Sequence, residues 1–423
     1  MSIVDDYLVR TPRSRALFER ATGSLPGGST RTTVFSAPYP PYAEHGAGLA
    51  VTDVDGNVYR DFLGNYTSLI LGHAHPAVVA AVERQVRCGS AFAAPTETEV
   101  LLAEELRRRV PSIERLRFTS SGTEATMFAI RAARAFTGRP LVATFDHSYH
   151  GTHDQFMAGT PGVPDAIGGL RIELPWGDPD GIEQALSGRV GELAAIIVEP
   201  VQGAGGVRAP EPGFLPYLRA LADRVGALLV FDEIISFRIA EGGAQEVYGV
   251  RPDLTTLGKI IAGGYPLAAF GGRAVVMEIF DARRVGAVSH GGTFNGNPVA
   301  AAAGLATLAE LTPGAYRRLD ALGGRLEARL TEGIGRDGLG ARVARVGSLF
   351  QVFAGEGTAA FAPGAGRPAE LYLGLLLAGF WLAPRGMGAI PTVATETDVD
   401  DLADAIVAVL GAIAGVRVGA ATS

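Results

Sequence analysis

Lys259 is the one lysine among 423 residues; the other 36 basic side chains are arginine. Arginine carries charge and pairs with carboxylates, but it stays protonated at any working pH and cannot serve as a nucleophilic amine. A lysine can, once burial or a neighbouring cation frees its lone pair for a Schiff base with a carbonyl. Compositional drift could also leave one lysine behind, so its surroundings carry the weight. Thr255, Thr256, Leu257 and Gly258 lead into it, and Ile260, Ile261, Ala262, Gly263 and Gly264 follow. Glycines there let backbone approach a planar ligand closely.

Other segments offer matching chemistry. Ser121, Gly122 and Thr123 open a helix directly after a strand, where free amides and the helix dipole favour an anion such as phosphate. The same residues suit an ordinary capped helix, since Ser121 and Glu124 stand at capping-box spacing. Asp232 ends the apolar run 227–231. A carboxylate there can cap a helix or satisfy the core, or it can keep a pyridinium nitrogen protonated. Glu199 follows the apolar run 194–198 in the same way, and Tyr149 presents an aromatic face ahead of His150 and Gly151. His147, His150 and His153 lie three apart beside Asp146 and Asp154. That segment reads as a loop without a thiolate or a second cluster, and no metal site is expected from it.

Alternating elements must position these groups. Residues 115–119, 141–145, 194–198 and 227–231 read as strands, the last two as continuous apolar runs of a buried parallel sheet. Residues 121–136 and 213–225 read as helices. The alternation predicts an α/β fold with a doubly wound, mainly parallel sheet, and ligands there sit beyond the carboxyl ends of strands. Residues 315–330 and 398–413 read as amphipathic helices, and the apolar run 371–383 as a buried helix. The expected organisation is an N-terminal segment 1–65 joined to a small C-terminal domain 313–423, with a large domain 66–312 between them.

Bulk properties exclude several classes. Apolar residues make up 47% and charged residues 19%, enough for a large core, and the net charge of −7 shows no basic face for nucleic acid. The apolar run 371–383 is shorter than a membrane span. Cys88 is the single cysteine, and no basic-then-apolar leader opens the sequence, so a cytoplasmic setting is expected.

Together these residues resemble the class III aminotransferases, which are fold type I pyridoxal-phosphate enzymes, from about Leu17 to Leu410. Ser120 to Ala125, Tyr149 to Gly151, Val198 to Pro200, Phe231 to Glu233, Leu257 to Lys259 and Gly292 to Asn297 follow that family's order and spacing. The resemblance implies that Lys259 carries pyridoxal 5'-phosphate covalently and that Asp232 pairs with the ring nitrogen. It implies that Tyr149 stacks on one ring face and Ile234 packs on the other. Ser121, Gly122 and Thr123 would take the phosphate, with Glu199 also in the cofactor site. Thr293 would reach the phosphate of a neighbouring subunit, which implies a homodimer with shared sites. Catalysis would rest on Lys259 and Asp232. A non-catalytic homologue is the contrary reading, and retention of Lys259 counts against it.

Departures from the ω-amino-acid members bear on substrate. Ala204 stands where those members carry a gating glutamate, and Ile234 and Ile235 stand where many have valine and glutamine. Both features resemble the branch of glutamate-1-semialdehyde aminomutase, D-phenylglycine aminotransferase and β-phenylalanine aminotransferase. Arg31, in the segment 28–39, and Arg385, in the segment 382–387, resemble the last enzyme's substrate loop and carboxylate-binding segment. Two surface arginines among 36 are the plainer reading. The expected reaction is amino transfer from a β-amino acid with an aromatic or apolar side chain to a keto acid. The alternatives are an aminomutase and an aminotransferase for D-arylglycine-type substrates.

Overall fold

Short apolar runs punctuated by glycine build the chain into two compact units, Met1–His75 with Arg317–Ser423, and Pro76–Tyr316. The computed structural model describes residues 2–355 and 367–420. Parts of the expected C-terminal domain, residues 356–366 and 421–423, lie outside the described residues. No helix among the described residues is long and apolar enough to cross a membrane.

The unit made from both chain ends begins with antiparallel strands β1 (Ala43–Ala47), β2 (Ala50–Asp53) and β3 (Val58–Asp61). After β3 the chain makes one unusual turn. Gly64, Asn65, Tyr66 and Thr67 all have φ between +50° and +74°. That is a left-handed turn, which L-residues enter only at a steric cost.

The other unit holds a seven-stranded sheet. Its strands are β4 (Arg115–Thr119), β5 (Leu141–Phe145), β6 (Arg171–Leu174), β7 (Leu193–Val198), β8 (Leu228–Asp232), β9 (Leu254–Leu257) and β10 (Ala268–Gly272). Their spatial order is β4-β10-β9-β8-β7-β5-β6. Only β10 runs against the direction of the other six, pairing antiparallel with β4 and β9. The strands expected from the sequence all form, each within a residue or two. Every residue of β7 and β8 is buried, because side chains alternate between two covered faces. Ile196, Val198, Leu229 and Phe231 enter one core with Phe214 and Leu218 of the helix Phe214–Val225. Ala195, Ile197 and Val230 enter the other with Phe128 and Ile130 of the helix Gly122–Thr137. Burying each large apolar side chain contributes roughly 1.5–3 kcal/mol before entropy is counted. Adjacent parallel strands β7, β8 and β9 end at Val198, Asp232 and Leu257, so their carboxyl ends bring Glu199, Asp232 and Lys259 to the same side of the sheet.

The chain's return adds β11 (Arg342–Val346), β12 (Leu349–Phe353), β13 (Phe380–Trp381) and β14 (Met387–Ala389) to the first unit. β13 pairs in parallel with β3, and β12 pairs with β11 and β14. The expected helices over 315–330 and 398–413 lie within Pro313–Arg336 and Glu396–Ala420. The expected buried helix over 371–383 is corrected. The helix Arg367–Leu377 stops there, Gly379 turns at φ +84°, and Phe380 starts β13. A continuous apolar run does not separate buried helix from buried strand; the left-handed glycine does.

Candidate active site

Asp232 is 3% exposed at the end of β8. Its Oδ1 accepts the Thr256 hydroxyl at 3.0 Å and the Ile234 amide at 3.2 Å. Thr256 faces it because the β8–β9 register pairs the two residues. The other oxygen lies 2.8 Å from Nδ1 of His150, a side chain as buried as the aspartate. A carboxylate has about four lone-pair sites, and these three contacts leave room for one more donor. His150 is the residue that sequence reasoning left among metal-like histidines. Among the described residues no cluster of His, Cys, Asp and Glu is arranged to hold a metal. The pairing spans 82 residues from a loop, and no local pattern announces it.

The loop carrying His150 is fixed on two sides. The Thr126 hydroxyl donates to the His150 carbonyl at 2.7 Å, and the Tyr149 amide donates to Oε1 of Glu199 at 2.8 Å. The other Glu199 oxygen accepts the Gly203 amide at 2.9 Å. Glu199 is buried, and desolvation pushes its carboxyl up to about 7; nearby His150 and the two amides pull the other way, while Asp232 adds to the rise. Tyr149 itself stays 41% exposed.

Two glycines let the phosphate-type segment close up. A Cβ on Gly151, at φ +93°, would lie 2.5 Å from the Thr123 hydroxyl and 2.7 Å from its Cα. A Cβ on Gly122 would lie 2.7 Å from the Ile234 side chain. Ser121 caps the helix, its hydroxyl accepting the Glu124 amide at 3.2 Å. The reciprocal half of the expected capping box shifts by one residue: Glu124 accepts the Ser120 amide at 2.8 Å. Gly122 and Thr123, first in the helix, therefore bring amides to an N-terminus with a positive dipole end.

Lys259 is half-buried and held at φ +51°. Non-glycine residues at positive φ are uncommon and collect at functional sites. His147 and Val207, at +57° and +55°, are the two others in this unit among the described residues. Thr293 lies exposed, between exposed Gly292 and Phe294.

The geometry fits pyridoxal phosphate. A buried carboxylate with spare acceptor capacity, a helix N-terminus and the chain's one lysine stand at or just beyond the carboxyl ends of strands of one sheet. These are the ring-nitrogen, phosphate and aldehyde partners that the group requires.

Arg31, Asn65, Tyr66 and Arg385 belong to the other unit. Both Arg31 Nη atoms lie 3.2 Å from Oδ1 of Asn65, and its guanidinium carbon lies 5.9 Å from the Tyr66 ring centre. The Tyr66 hydroxyl donates to the Thr33 carbonyl. Burial raises the Tyr66 phenol, while Arg385, the Thr33 bond and Arg31 oppose that rise, so both arginines act on one ring. Arg385 reaches the Met387 sulfur at 2.8 Å. Arg31 and Tyr66 line a cavity of about 430 Å³ with Tyr42, Leu63, Tyr372 and Trp381.

The family model described as aminotransferase class-III matches residues 35–168 and 181–412. A curated relative from Sorangium cellulosum, named glutamate-1-semialdehyde 2,1-aminomutase, is 47% identical over 81% of this chain and 82% of its own. Further curated relatives carry the same name. Among solved structures, an omega-transaminase from Sphaerobacter thermophilus is 42% identical over 94% of this chain and 97% of its own, with a TM-score of 0.90. A β-phenylalanine aminotransferase from Variovorax paradoxus is 36% identical over 97% of each chain, with a TM-score of 0.89. Solved relatives hold pyridoxal phosphate or its amino form.

Proposed function

The chain belongs to the class III aminotransferases, enzymes dependent on pyridoxal phosphate, and we propose that it moves the amino group of a carboxylate-bearing amine. One observation carries this reading: the buried Asp232 ends β8, and the sole lysine follows the end of the neighbouring strand β9 by two residues. The bound cofactor supplies an aldehyde that takes up amines and a ring that draws electrons from the carbon bearing them. Asp232 would keep a proton on the ring nitrogen, and His150 and Thr256 hold that carboxylate in place. Lys259 Nζ would hold the cofactor through its aldehyde and would supply the amine that takes up and returns the proton of the substrate carbon as base and acid. Ser121, Gly122 and Thr123 take the phosphate. Tyr149 and Ile234 would cover the ring faces, and Glu199 fixes the backbone of Tyr149. Thr293 serves the neighbouring subunit of a homodimer.

Two forms of amino transfer fit this machinery. Intramolecular transfer, as in a glutamate-1-semialdehyde aminomutase, has the better support from the comparisons, because the curated relatives carry that name. It displaces the β-amino-acid transaminase from first place. The transaminase stays as the second reading because a β-phenylalanine aminotransferase shares the fold over 97% of the chain. In either form the arginines are the carboxylate-binding groups, since a guanidinium fork bonds two carboxylate oxygens at once. Acceptor dependence decides between them. An aminomutase turns over its amino aldehyde without added keto acid. A transaminase given 3-amino-3-phenylpropanoate stops after one half-reaction until 2-oxoglutarate or pyruvate is supplied.

A further inference from the structure

Arg31 is held by one atom. Oδ1 of Asn65 lies 3.2 Å from both Nη1 and Nη2, at the far end of the guanidinium. An arginine has five N–H donors in a fixed fork. Two of them, one from each Nη, are spent on Asn65. Among the described residues nothing else takes the edge formed by Nε and Nη2, whose two parallel donors are the pair that grips a carboxylate side-on. The Tyr66 ring centre lies 5.9 Å from the guanidinium carbon. Asn65 therefore fixes the orientation of the fork without consuming the edge an anion uses.

The backbone explains why Asn65 can do this. Gly64 to Thr67 form a left-handed turn, closed by the Thr67 amide on the Leu63 carbonyl at 2.8 Å. Asp61 braces its start, with Oδ1 accepting the amides of Leu63 at 2.8 Å and Gly64 at 2.9 Å. The other Asp61 oxygen lies 2.7 Å from Nε2 of His73. Asparagine is among the few residues that accept a left-handed backbone readily. A turn this strained persists only where its surroundings over-determine it. Here it presents Asn65 and Tyr66, consecutive residues, to one guanidinium.

We propose that the left-handed turn Gly64–Thr67 is a positioning device in which Asn65, seconded by Tyr66, orients Arg31 for the carboxylate of the substrate. The proposal rests on the reading of Arg31 as a carboxylate-binding group and adds the residue that aims it. Asn65→Gly is the direct test, because glycine adopts φ +50° without strain and the turn keeps its fold. The holoenzyme is assayed with matched amines: 3-amino-3-phenylpropanoate against 1-phenylethylamine, and 4,5-diaminopentanoate against 1,2-diaminobutane. For the carboxylated member, Asn65→Gly raises KM about tenfold with kcat within about twofold, a loss of ground-state orientation. The carboxylate-free member is unaffected. Combined with Arg31→Ala, Asn65→Gly adds no further loss, as expected for residues acting as one unit. If Arg31→Ala is selective for carboxylated substrates while Asn65→Gly is not, or the two losses add, the positioning role is wrong and the carboxylate reading stands. If neither pair is turned over, or Arg31→Ala harms both members equally, the carboxylate reading fails and takes this proposal with it.

Discussion

Asp232 shows how a single residue's surroundings set its use. Three protein contacts hold its carboxylate, and all come from elements fixed by the sheet or by the Glu199 bracket. Asp232→Asn keeps the size and removes the charge that stabilises a protonated ring nitrogen. Turnover should fall by at least about 100-fold, by analogy with the roughly 2.7–4 kcal/mol lost with one electrostatic partner of a developing charge. Cofactor retention, followed by absorbance, should fall far less; near-normal turnover would remove Asp232 from the chemistry. Glu199 makes a prediction in pH. Its carboxyl is pushed up to about 7 from an ordinary 4.5, so between those values the unfolded chain has lost a proton that the folded chain keeps. Stability from this group is complete below about 4.5 and disappears as pH rises through about 7. Glu199→Gln does not titrate, and comparing it with the wild type cancels every other group. In cofactor-stripped protein, denaturant unfolding should show the wild type's advantage shrinking by about 3 kcal/mol between pH 4.5 and 7.5. A constant difference would mean that Glu199 ionises normally.

At the scale of elements, the close approach of the loop 146–153 to the first turn of the helix Gly122–Thr137 depends on Gly151. Gly162 provides a control with almost the same backbone, φ +92° against +93°, but a Cβ added there would meet nothing within 4 Å. Alanine at either site incurs the left-handed penalty of about 1–2 kcal/mol. Gly151→Ala must in addition displace Thr123, including its Cα, so it should cost about 1–3 kcal/mol more. It should also weaken cofactor binding, which Gly162→Ala should leave unchanged. Equal effects in thermal unfolding and cofactor titration would mean that the loop yields freely. These elements differ in how far the sequence announced them. β7 and β8 were legible because buried parallel strands leave continuous apolar runs, and Glu199 and Asp232 stand at their ends. The helix at Gly122 was legible from Ser121. His150 was not, because its partner lies 82 residues away. The left-handed turn was also hidden: Gly64 alone hints at it, whereas Asn65, Tyr66 and Thr67 take their conformation from Asp61 and the Leu63 carbonyl. Arg31 could be named from its segment, but the residue that aims it could not.

The whole molecule extends the argument beyond one chain. Phe294 is 60% exposed and Phe92 is 52% exposed, and Asn297 ties their loops together by donating to the Ser90 carbonyl at 2.8 Å. Two large aromatic side chains held on linked loops form the kind of surface that a second copy covers. Thr293, beside Phe294, is exposed as well. In the homodimer of the proposed function, which the family resemblance implies, the loop 291–297 would bring Thr293 to the partner's phosphate. Lys259→Ala should abolish turnover, because no other side-chain amine exists in the chain. Thr293→Trp should abolish it by blocking the partner's site. If each site takes its lysine from one chain and its threonine from the other, mixing the two dead variants restores activity. In a mixed dimer one site then carries both defects and the other carries neither. Random exchange makes half the dimers mixed, and half the sites in those are intact, so about a quarter of wild-type activity should return. A site built from a single chain would leave one defect in every site of the mixed dimer. Activity at background, with mixed dimers demonstrated by differential tagging, would therefore place Thr293 and Lys259 in the same protomer's site.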